Sequence, residues 1–440
     1  MRLEAWIRMA LKVAILDTNA LENKGSYGRL VGLLRALDAT LPSHEVTVYH
    51  RYYDMAKKER IEDLKGYHAD VEIERHPWYN EKGSLAATTL AYITSFSICA
   101  LKQAYGKIRP EKATPFNGFD VIVDLNLIEP DKFNDKKIDP VNIFGQLFTL
   151  LSIWNASFSG KKVVVCSATI GPYKNLVLRS LARNVLNNVN LITLREEFSR
   201  DFLETIEVKK PKIQVTADLA FLMDSDNGGD GTKMSKALNV DVGGNAVVGI
   251  CPAAMMNSRL PEDEYIRLIS EVSDFLIKNM GATVIYIANT FQDIGLVDKI
   301  YQAVNNPAKT RIVPFSASAT EVKSAIGLCD LFVCSRFHAL VASTSLGIPS
   351  IGIVSYSYNK FHGIIGKMMG QEEYLLDIDQ TFEYDALLIE LKLKSEKLLH
   401  DRESVRENLL KNCSSTKEQA LVNGYLIRDL ILANAKVTGD

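Results

Sequence analysis

Residues 318–358 read SATEVKSAIGLCDLFVCSRFHALVASTSLGIPSIGIVSYSY and carry the pattern that decides the fold. Ser318 and Glu321 have the spacing of a capping box, which predicts that a helix begins there. The apolar run Leu331–Cys334 follows and predicts a buried strand. A second helix is predicted over Ala339–Leu346, after which the sequence enters another β-branched run. This regular exchange of helix and strand is typical of parallel α/β sheets.

The same alternation extends along most of the chain. Short apolar runs predict strands at Val13–Leu16, Val46–His50, Val121–Asp124, Val163–Cys166, Leu191–Leu194, Val247–Ile250, Thr283–Ile287, Arg311–Val313, Leu331–Cys334 and Ser350–Val354. We therefore predict an α/β fold with two Rossmann-like domains facing a cleft and with helices at the C-terminus.

A stretch rich in Gly and Asp, residues 224–245, interrupts the alternation and is a loop signal. The predicted organisation is an N-terminal domain at 1–223, a linker at 224–245, a C-terminal domain at 246–385 and C-terminal helices at 386–440.

Composition and charge exclude several classes of protein. The chain has 440 residues, 47% hydrophobic and 24% charged, which is typical of globular rather than disordered or collagenous proteins. Its 51 Lys and Arg against 53 Asp and Glu give a net charge of −2, so charge does not favour nucleic acid as a partner. The six cysteines form no CxxC pair and the seven histidines no HExxH motif. We expect no metal site, no disulfide framework and a reducing compartment.

Two uncharged stretches, residues 83–101 and 140–160, could be mistaken for membrane spans. Both contain polar side chains, whereas a spanning helix needs about 20 mainly apolar residues. We expect buried helices instead. The N-terminus lacks the apolar core and cleavage site of a signal peptide. These features predict a soluble, cytoplasmic protein without a transmembrane segment, with contact of residues 83–101 with the inner face of the membrane as an alternative.

Arg336 and His338 lie at a predicted turn from strand to helix. Ligands of parallel α/β domains bind outside the carboxyl ends of the strands, and a helix N-terminus favours anions. Arg336 offers a planar fork of donors for a carboxylate or phosphate, and His338 can transfer a proton near neutral pH. The alternative is that Arg336 pairs with a structural carboxylate and His338 caps a loop. The architectural setting favours an anion site.

Lys360 follows the next predicted strand, together with Tyr356 and Tyr358. Neighbouring parallel strands end at the same sheet edge, so we expect Lys360 near Arg336 and His338. A solvent-exposed charge is the alternative.

Three residues of the first half also follow predicted strands. Gly171 begins a Gly-Pro turn, which permits close approach of the backbone to a ligand or to another element. Arg195 ends the next strand and is predicted to face Arg336 across the cleft as a second anion clamp. Asp218 lies in a loop near the same edge, where capping a turn is its alternative role.

Taken in order, these residues resemble the polysaccharide pyruvyl transferase family. The motifs are Ile-Gly-Pro at 170–172, Thr-x-Arg-Glu-x-x-Ser at 193–199, Ala-Asp-x-Ala-Phe at 217–221, Glu321 with Cys329-Asp330, Ser-Arg-Phe-His-Ala at 335–339, and Gly-Ile-Pro at 347–349 followed by Tyr358 and Lys360. As an ordered set they extend over most of the chain.

The resemblance implies a GT-B-like fold and transfer of a pyruvyl group from phosphoenolpyruvate to a sugar of a polysaccharide or glycan precursor, forming a pyruvate ketal. It implies a role in exopolysaccharide or cell-envelope biosynthesis, with phosphoenolpyruvate as donor, no cofactor and a saccharide acceptor. Whether that acceptor is lipid-linked stays open. The donor is expected in the second domain and the acceptor in the first.

The chemistry implied by the resemblance assigns a role to each cationic residue. His338 is expected to be the general acid that protonates the methylene carbon. Arg336 and Arg195 are expected to hold the anionic groups, and Lys360 to neutralise the departing phosphate. The remaining expected substrate-binding residues are Gly171, Asp218, Glu321, Ser335 and Tyr358. Of these, Asp218 or Glu321 is expected to orient the acid or accept the hydroxyl proton.

Two positions depart from the family pattern. Leu125-Asn126-Leu127 stands where relatives carry a Gly-Gly pair, and Asn23-Lys24-Gly25-Ser26 matches the family turn Asn-x-Gly-Asp only loosely. Both lie in the predicted acceptor domain. Two rival functions stay open. One is a glycosyltransferase or epimerase that uses a nucleotide-sugar on the same fold, and the other, motivated by the missing Gly-Gly, is a catalytically silent glycan-binding relative.

Overall fold

The structure, a computed structural model, describes residues 10–17, 21–51, 53, 58–77, 94, 115–126, 128–129, 140–225, 232–241, 243–258, 260–378 and 383–437. The chain divides into two compact units. The first comprises residues 1–21, 29–222 and 419–440, and the second comprises residues 22–28 and 223–418. The predicted boundary after residue 223 falls beside this division. Residues 22–28, placed by sequence in the first domain, group with the second unit.

Each unit contains a parallel sheet with helices between its strands. The strands are β1 (Leu11–Asp17), β2 (His44–His50), β3 (Val71–Arg75), β4 (Val121–Asp124), β5 (Lys162–Ala168), β6 (Leu191–Leu194) and β7 (Lys212–Val215) in the first unit, and β8 (Val247–Cys251), β9 (Thr283–Tyr286), β10 (Thr310–Ile312), β11 (Leu331–Cys334), β12 (Ser350–Val354) and β13 (Leu375–Asp377) in the second.

The helices follow the same alternation along the chain. They are α1 (Lys24–Thr40), α2 (Lys58–Lys65), α3 (Pro140–Ser157), α4 (Leu176–Leu186), α5 (Glu197–Thr205), α6 (Thr232–Leu238), α7 (Glu262–Met280), α8 (Ile294–Ala303), α9 (Ala319–Ile326), α10 (Phe337–Ser345), α11 (Tyr384–His400) and α12 (Arg402–Val437).

The two sheets have equivalent strand orders. The first sheet runs β3-β2-β1-β4-β5-β6-β7, and the second runs β10-β9-β8-β11-β12-β13. In each sheet the order reverses beside the first strand of the unit, between β1 and β4 and between β8 and β11. These reversals are the topological switch points at which Rossmann-like domains bind ligands. The prediction of two parallel α/β domains is confirmed.

All ten predicted strands are present, and three more were not predicted. The three are β3, β7 and β13, and each lies at an edge of its sheet. Edge strands are covered on fewer sides, so their sequences need no continuous apolar run. The fully buried β4 and β11 contrast with β7, whose residues alternate between exposed and half-buried.

The capping box predicted at Ser318 and Glu321 is confirmed. Ser318 Oγ accepts a hydrogen bond from the Glu321 N–H at 3.1 Å, and Glu321 Oε2 accepts one from the Ser318 N–H at 2.8 Å. Gly347 follows α10 with a φ of 74°, the left-handed geometry that glycine adopts readily. These contacts fix the start of α9 and the end of α10.

The predicted linker and the two uncharged stretches are described by the structure to different extents. The predicted linker at 224–245 contains α6, while its residues 226–231 and 242 lie outside the described residues. The buried helix predicted at 140–160 is present as α3. The other uncharged stretch, 83–101, lies outside the described residues except for residue 94. Among the helices that the structure describes, none is long and apolar enough to cross a membrane.

The C-terminal helix α12 closes the first unit with its final turns. Asn423 is fully buried, and its side-chain oxygen accepts a hydrogen bond from the Thr216 hydroxyl at 3.2 Å. Gly424 lies against the backbone of α1, where an added Cβ would come within 2.4 Å of the Ala36 carbonyl oxygen. The part of α12 around Asn423 and Gly424 is therefore an integral part of this unit.

Candidate active site

Arg336 lies at the switch point of the second sheet. It is the N-cap residue of α10, immediately after β11 and Ser335. Its Nε donates to Asp293 Oδ2 at 3.0 Å, and its Nη2 donates both to Asp293 Oδ1 and, at 3.2 Å, to the Thr290 hydroxyl. This two-point pairing fixes the plane of the guanidinium group. The structural carboxylate that the sequence left as an alternative is Asp293.

Asp293 is itself held by the surrounding backbone. It is fully buried and accepts hydrogen bonds from the Thr290 N–H and hydroxyl, each at 3.0 Å, and from the Ala254 N–H at 3.0 Å. Burial alone would lower the pKa of Arg336, but the neighbouring Tyr356 and the Asp293 carboxylate raise it, and the net pKa lies above its ordinary value. Arg336 is a fixed positive charge.

His338 occupies the second position of α10 and is half-buried. Its ring meets the Phe337 ring edge-on, with 5.0 Å between centroids. Gly25, in the first turn of α1, belongs to the same unit and lies directly against this imidazole. The histidine is thus held at the same end of the sheet as Arg336.

Lys360 lies beyond the carboxyl end of β12, in the short helix Tyr358–Lys360. It is 4% exposed, and its ammonium nitrogen is 5.4 Å from the centre of the Phe337 ring and 5.5 Å from that of Tyr356. Such cation–π contacts are stronger when the cation is removed from water. The structure therefore buries Lys360 against Phe337, which lies between Arg336 and His338 in sequence, and against Tyr356.

The turn that delivers Lys360 has an unusual backbone. Ser357 has a φ of 52°, in the left-handed region that non-glycine residues seldom adopt. Strained backbone of this kind concentrates at functional sites. The preceding Tyr356 donates its hydroxyl to the Ser335 carbonyl at 3.3 Å, and burial raises its pKa to about 12 although Arg336 opposes the shift. Tyr356 remains a neutral donor at physiological pH.

Ser335 and Tyr358 have partners within the same unit. The Ser335 hydroxyl lies 2.6 Å from the hydroxyl of the fully buried Tyr265. The Tyr358 hydroxyl donates to the Ile378 carbonyl at 2.8 Å. Both residues support the ends of β11 and β12. Glu321, a further predicted substrate-binding residue, caps α9 through Ser318.

In the first unit, Arg195 and Asp218 are found together. Arg195 Nη1 donates to Asp218 Oδ2, and Arg195 Nε donates to the Thr169 hydroxyl at 2.7 Å. Neither the Arg195 nor the Asp218 side chain has any exposed surface. Asp218 also accepts a hydrogen bond from the Ala220 N–H at 2.9 Å. In this conformation, the two predicted ligand-binding residues are engaged with each other and enclosed.

Gly171 provides room for a protein side chain. Its φ is 82°, and a Cβ added there would lie 2.2 Å from the Phe202 ring. Of the two approaches that the sequence allowed, by a ligand or by another element, the structure shows the second. The residue closing against the turn comes from α5.

Several residues that support the turns around Arg336 and His338 were not predicted from the sequence. They are Asp293, Thr290, Tyr265, Lys24 and Gly25. A signal was available for two of them, since Thr290 and Asp293 have capping-box spacing just after β9 and form such a box. The others depend on tertiary contacts that no local pattern indicates.

Away from this site, a group of possible metal ligands lies near the start of β2. Asp38, His44 and His68 offer ligand atoms within 4.8 Å of one another. The two imidazole rings, however, are stacked, with centroids 4.7 Å apart and planes 21° from parallel. Asp38 Oδ1 lies 2.8 Å from His68 Nδ1 and 3.3 Å from His44 Nε2, so the three side chains contact one another.

Known structures share this fold over nearly the whole chain. Anabaena HepE in complex with UDP and glucose has 13% identity and a TM-score of 0.57, covering 96% of this chain and 100% of that one. A glycosyltransferase from Rickettsia africae has 10% identity and a TM-score of 0.55, with coverages of 97% and 99%. The UDP-GlcNAc 2-epimerase from Methanocaldococcus jannaschii has 12% identity and a TM-score of 0.54, with coverages of 88% and 92%. At these identities the likeness shows the fold alone, which is of the GT-B type.

Family membership comes from a separate comparison. The family model for polysaccharide pyruvyl transferase matches residues 32–358, which is more than half of the chain. The match begins within α1 and extends through the Arg336–His338 turn as far as Tyr358. The chain therefore belongs to the polysaccharide pyruvyl transferase family.

Proposed function

We propose that the protein transfers the pyruvyl unit of phosphoenolpyruvate to two hydroxyl groups of one sugar in a polysaccharide or glycan precursor, forming a cyclic ketal. One observation carries the proposal: in a chain of this family, Arg336, His338 and Lys360 gather at the carboxyl ends of the adjacent strands β11 and β12. A donor with a carboxylate and a phosphate needs such a concentration of cationic groups.

The proposed reaction balances without an external oxidant or reductant. A proton adds to the methylene carbon of phosphoenolpyruvate, and the adjacent carbon becomes cationic. The first sugar hydroxyl forms a C–O bond to that carbon and releases its proton. The second hydroxyl then forms another C–O bond while the bond to phosphate breaks. The products are a methyl-bearing ketal and inorganic phosphate, and the two hydroxyl protons replace those taken up by the methylene carbon and the phosphate.

Each cationic residue takes the part that its surroundings favour. His338, half-buried at the start of α10, supplies the proton to the methylene carbon, a role that contributes about 10²–10⁴-fold. Lys360, withdrawn from water beside two aromatic rings, stabilises charge on the departing phosphate. Arg336, fixed by Asp293, holds an anionic group of the donor in a constant orientation.

The proposal leaves four predicted residues outside the chemistry. Arg195 and Asp218 stabilise the first unit as a buried pair, Gly171 accommodates Phe202, and Glu321 caps α9. Ser335 and Tyr358 act as supports for the turns that carry Arg336 and Lys360. We assign the acceptor sugar, lipid-linked or free, to the first unit, and the proposed reaction uses no cofactor.

A nucleotide-sugar enzyme is the second candidate. It is favoured by the shared fold with Anabaena HepE, whose structure contains UDP and glucose. A diphosphate would use the same Arg336 and the same N-terminus of α10. A silent glycan-binding protein is the third candidate, and it would bind saccharides without releasing phosphate.

Phosphate release from phosphoenolpyruvate separates the three candidates. The purified protein is incubated with phosphoenolpyruvate and a mixed pool of glycan acceptors, and His338→Gln serves as the matched inactive control. We expect acceptor-dependent phosphate release and a ketal methyl signal in the product. Release of UDP from a nucleotide-sugar would support the second candidate, and saccharide binding without phosphate release would support the third.

A further inference from the structure

Gly25 lies directly against the proposed acid. A Cβ built on Gly25 would be 2.3 Å from His338 Nδ1 and 2.5 Å from both Cβ and Cγ of His338. Real carbon atoms do not approach this closely, so any larger residue at position 25 would displace the ring. The clash involves the His338 Cβ as well as its ring. Rotation of the imidazole alone therefore cannot relieve it.

The turn that carries Gly25 is held rigidly by its own cap. Asn23 Oδ1 accepts hydrogen bonds from the Gly25 N–H at 3.1 Å and from the Ser26 N–H at 3.3 Å. These are the second and third N–H groups of α1, so Asn23 acts as its N-cap. The Gly25 and Ser26 N–H groups are thereby occupied within the turn, and the Lys24 N–H donates to the Asn289 carbonyl at 3.5 Å. The contact with His338 is consequently a packing contact rather than a ligand site.

Lys24 fastens the same turn to the second unit. This lysine is 6% exposed, and its ammonium group donates to the Ala317 carbonyl at 2.5 Å and to the Phe315 carbonyl at 3.2 Å. It also lies 4.9 Å from the centre of the Phe315 ring. Burying an ammonium group is costly unless several acceptors surround it. These contacts make the position of Gly25 relative to His338 a fixed property of the unit.

We infer that Gly25 is a positioning residue for His338, and that Lys24 acts with it by anchoring the turn. The inference rests on the proposed function, because it concerns the acid of that reaction. Glycine is needed at position 25 because only a residue without a Cβ leaves the imidazole in its present place. The N-terminal turn thus serves the donor side of the enzyme rather than the acceptor side.

Gly32, in the same helix, shows what a purely structural glycine looks like. A Cβ at Gly32 would meet the Leu219 carbonyl oxygen at 1.9 Å, a backbone atom that cannot move alone. Gly32→Ala is expected to disrupt folding. A Cβ at Gly25 meets only atoms of the His338 side chain, so Gly25→Ala should displace His338 together with the start of α10, and its effect on the reaction is measured on the folded variant.

The test compares Gly25→Ala with wild type and with Gly145→Ala. Gly145 lies in α3 with open space around its Cβ position, so it controls for adding a methyl group. We expect Gly25→Ala to lower kcat for phosphoenolpyruvate by about 10²-fold, the cost of misplacing a reacting group by about 1 Å. KM for phosphoenolpyruvate should stay within about threefold. Gly145→Ala should match wild type.

An imidazole NMR spectrum provides a readout that does not need turnover. The histidine ring signals are recorded for each variant, and His338→Gln identifies the signal of His338 among the seven histidines. Gly25→Ala should shift that signal while the other signals stay in place. If Gly25→Ala does not fold, Lys24→Met takes its place, since it removes the anchoring charge without adding a clash. It should also shift the His338 signal and lower kcat.

The outcomes distinguish this inference from the proposed function. An active wild type with a folded Gly25→Ala variant of equal kcat, or with an unshifted His338 signal, would overturn the role of Gly25 alone. A wild type that does not release phosphate from phosphoenolpyruvate would overturn the proposed function, and the positioning role with it. A slow Gly25→Ala variant with a displaced His338 signal supports both.

Discussion

Arg195 and Arg336 follow strands of different sheets and have the same kinds of partner, yet their surroundings differ. Each pairs with an aspartate and donates to a threonine hydroxyl, Asp218 and Thr169 for Arg195, and Asp293 and Thr290 for Arg336. The first pair has no exposed surface, whereas the Arg336 side chain retains 8%. Arg336 lies two residues before His338, and the buried Lys360 lies against the ring of Phe337 between them.

The difference shows that an arginine at the end of a strand is not by itself an anion site. In the first unit the guanidinium is enclosed, and Phe202 closes the nearby Gly171 turn. In the second unit the pairing leaves part of the guanidinium group exposed, at the turn that also carries His338. We therefore expect substitutions in the first pair to change stability and substitutions in the second to change catalysis.

The largest effect is expected for Asp218→Asn. Removing one partner of a fully buried ion pair leaves Arg195 without its compensating charge and costs about 3–5 kcal/mol. Urea unfolding measures the loss. Glu207→Gln is the matched control, because its pairing with Arg183 is half-exposed and should contribute less than about 1 kcal/mol. If Asp218→Asn kept its stability but lost phosphoenolpyruvate affinity, Arg195 would be the ligand clamp that its position in the sequence suggested.

His338→Gln should give the next largest effect, this time on rate. We expect kcat to fall by at least about 10²-fold while the melting temperature and phosphoenolpyruvate affinity change little, because a general acid acts mainly in the transition state. Both quantities are measured on one preparation. A variant that melts several degrees lower yet turns over normally would reduce His338 to a structural role at the start of α10.

A smaller effect is expected for Asp293→Asn, which sharpens the contrast between the two pairs. Arg336 would keep its charge but lose the carboxylate that orients it, and kcat/KM for phosphoenolpyruvate should fall by about 10-fold. Asp293→Glu, which restores the charge, should recover part of the loss. Equal kcat/KM in wild type and Asp293→Asn would make the two arginine pairs equivalent and purely structural.

A separate effect, on the pH dependence of stability, concerns His76, which follows β3 in the first unit. Burial lowers the pKa of His76 to about 3, and the nearby Arg51 and His50 contribute to the same shift. Between pH 6.5 and 3 the unfolded chain binds a proton that the folded chain does not, so stability falls as the pH drops through this window. Wild type should lose about 2 kcal/mol between pH 7 and 5 through this group.

The matched variant is His76→Gln, whose unfolding free energy should depend less steeply on pH over that range. Unfolding curves at pH 7, 6 and 5 check the difference. Parallel pH profiles for wild type and His76→Gln would show that this part of the first unit admits a protonated histidine, and would weaken the view that it is enclosed.

The sequence predicted the central parts of the fold and the centre of the site. Buried strands such as β4 and β11 are continuous apolar runs, so their ends, and hence Arg336 and His338, could be located. Edge strands such as β7 escaped because they bury too little to require such runs. The partners of the two arginines could not be assigned, since each aspartate is brought to its arginine by the tertiary fold.

The contact between Gly25 and His338 is another that the sequence alone could not predict. Its neighbour His338 is more than 300 residues away in sequence, and the turn before α1 was predicted to serve the acceptor domain. Grouping of residues 22–28 with the second unit is a property of the folded chain. Thr290 and Asp293 were within reach of sequence reasoning, because their spacing matches the capping box that located α9.

The central claim is that the second unit binds phosphoenolpyruvate through Arg336, and calorimetry tests it most directly. Phosphoenolpyruvate is titrated into wild type and into Arg336→Ala, with UDP as the competing ligand. We predict saturable binding of phosphoenolpyruvate to wild type and an affinity about 10²-fold weaker for Arg336→Ala, as expected for the loss of a charged hydrogen bond worth about 2–3 kcal/mol. Binding of UDP without binding of phosphoenolpyruvate, or equal phosphoenolpyruvate affinities for the two proteins, would contradict it.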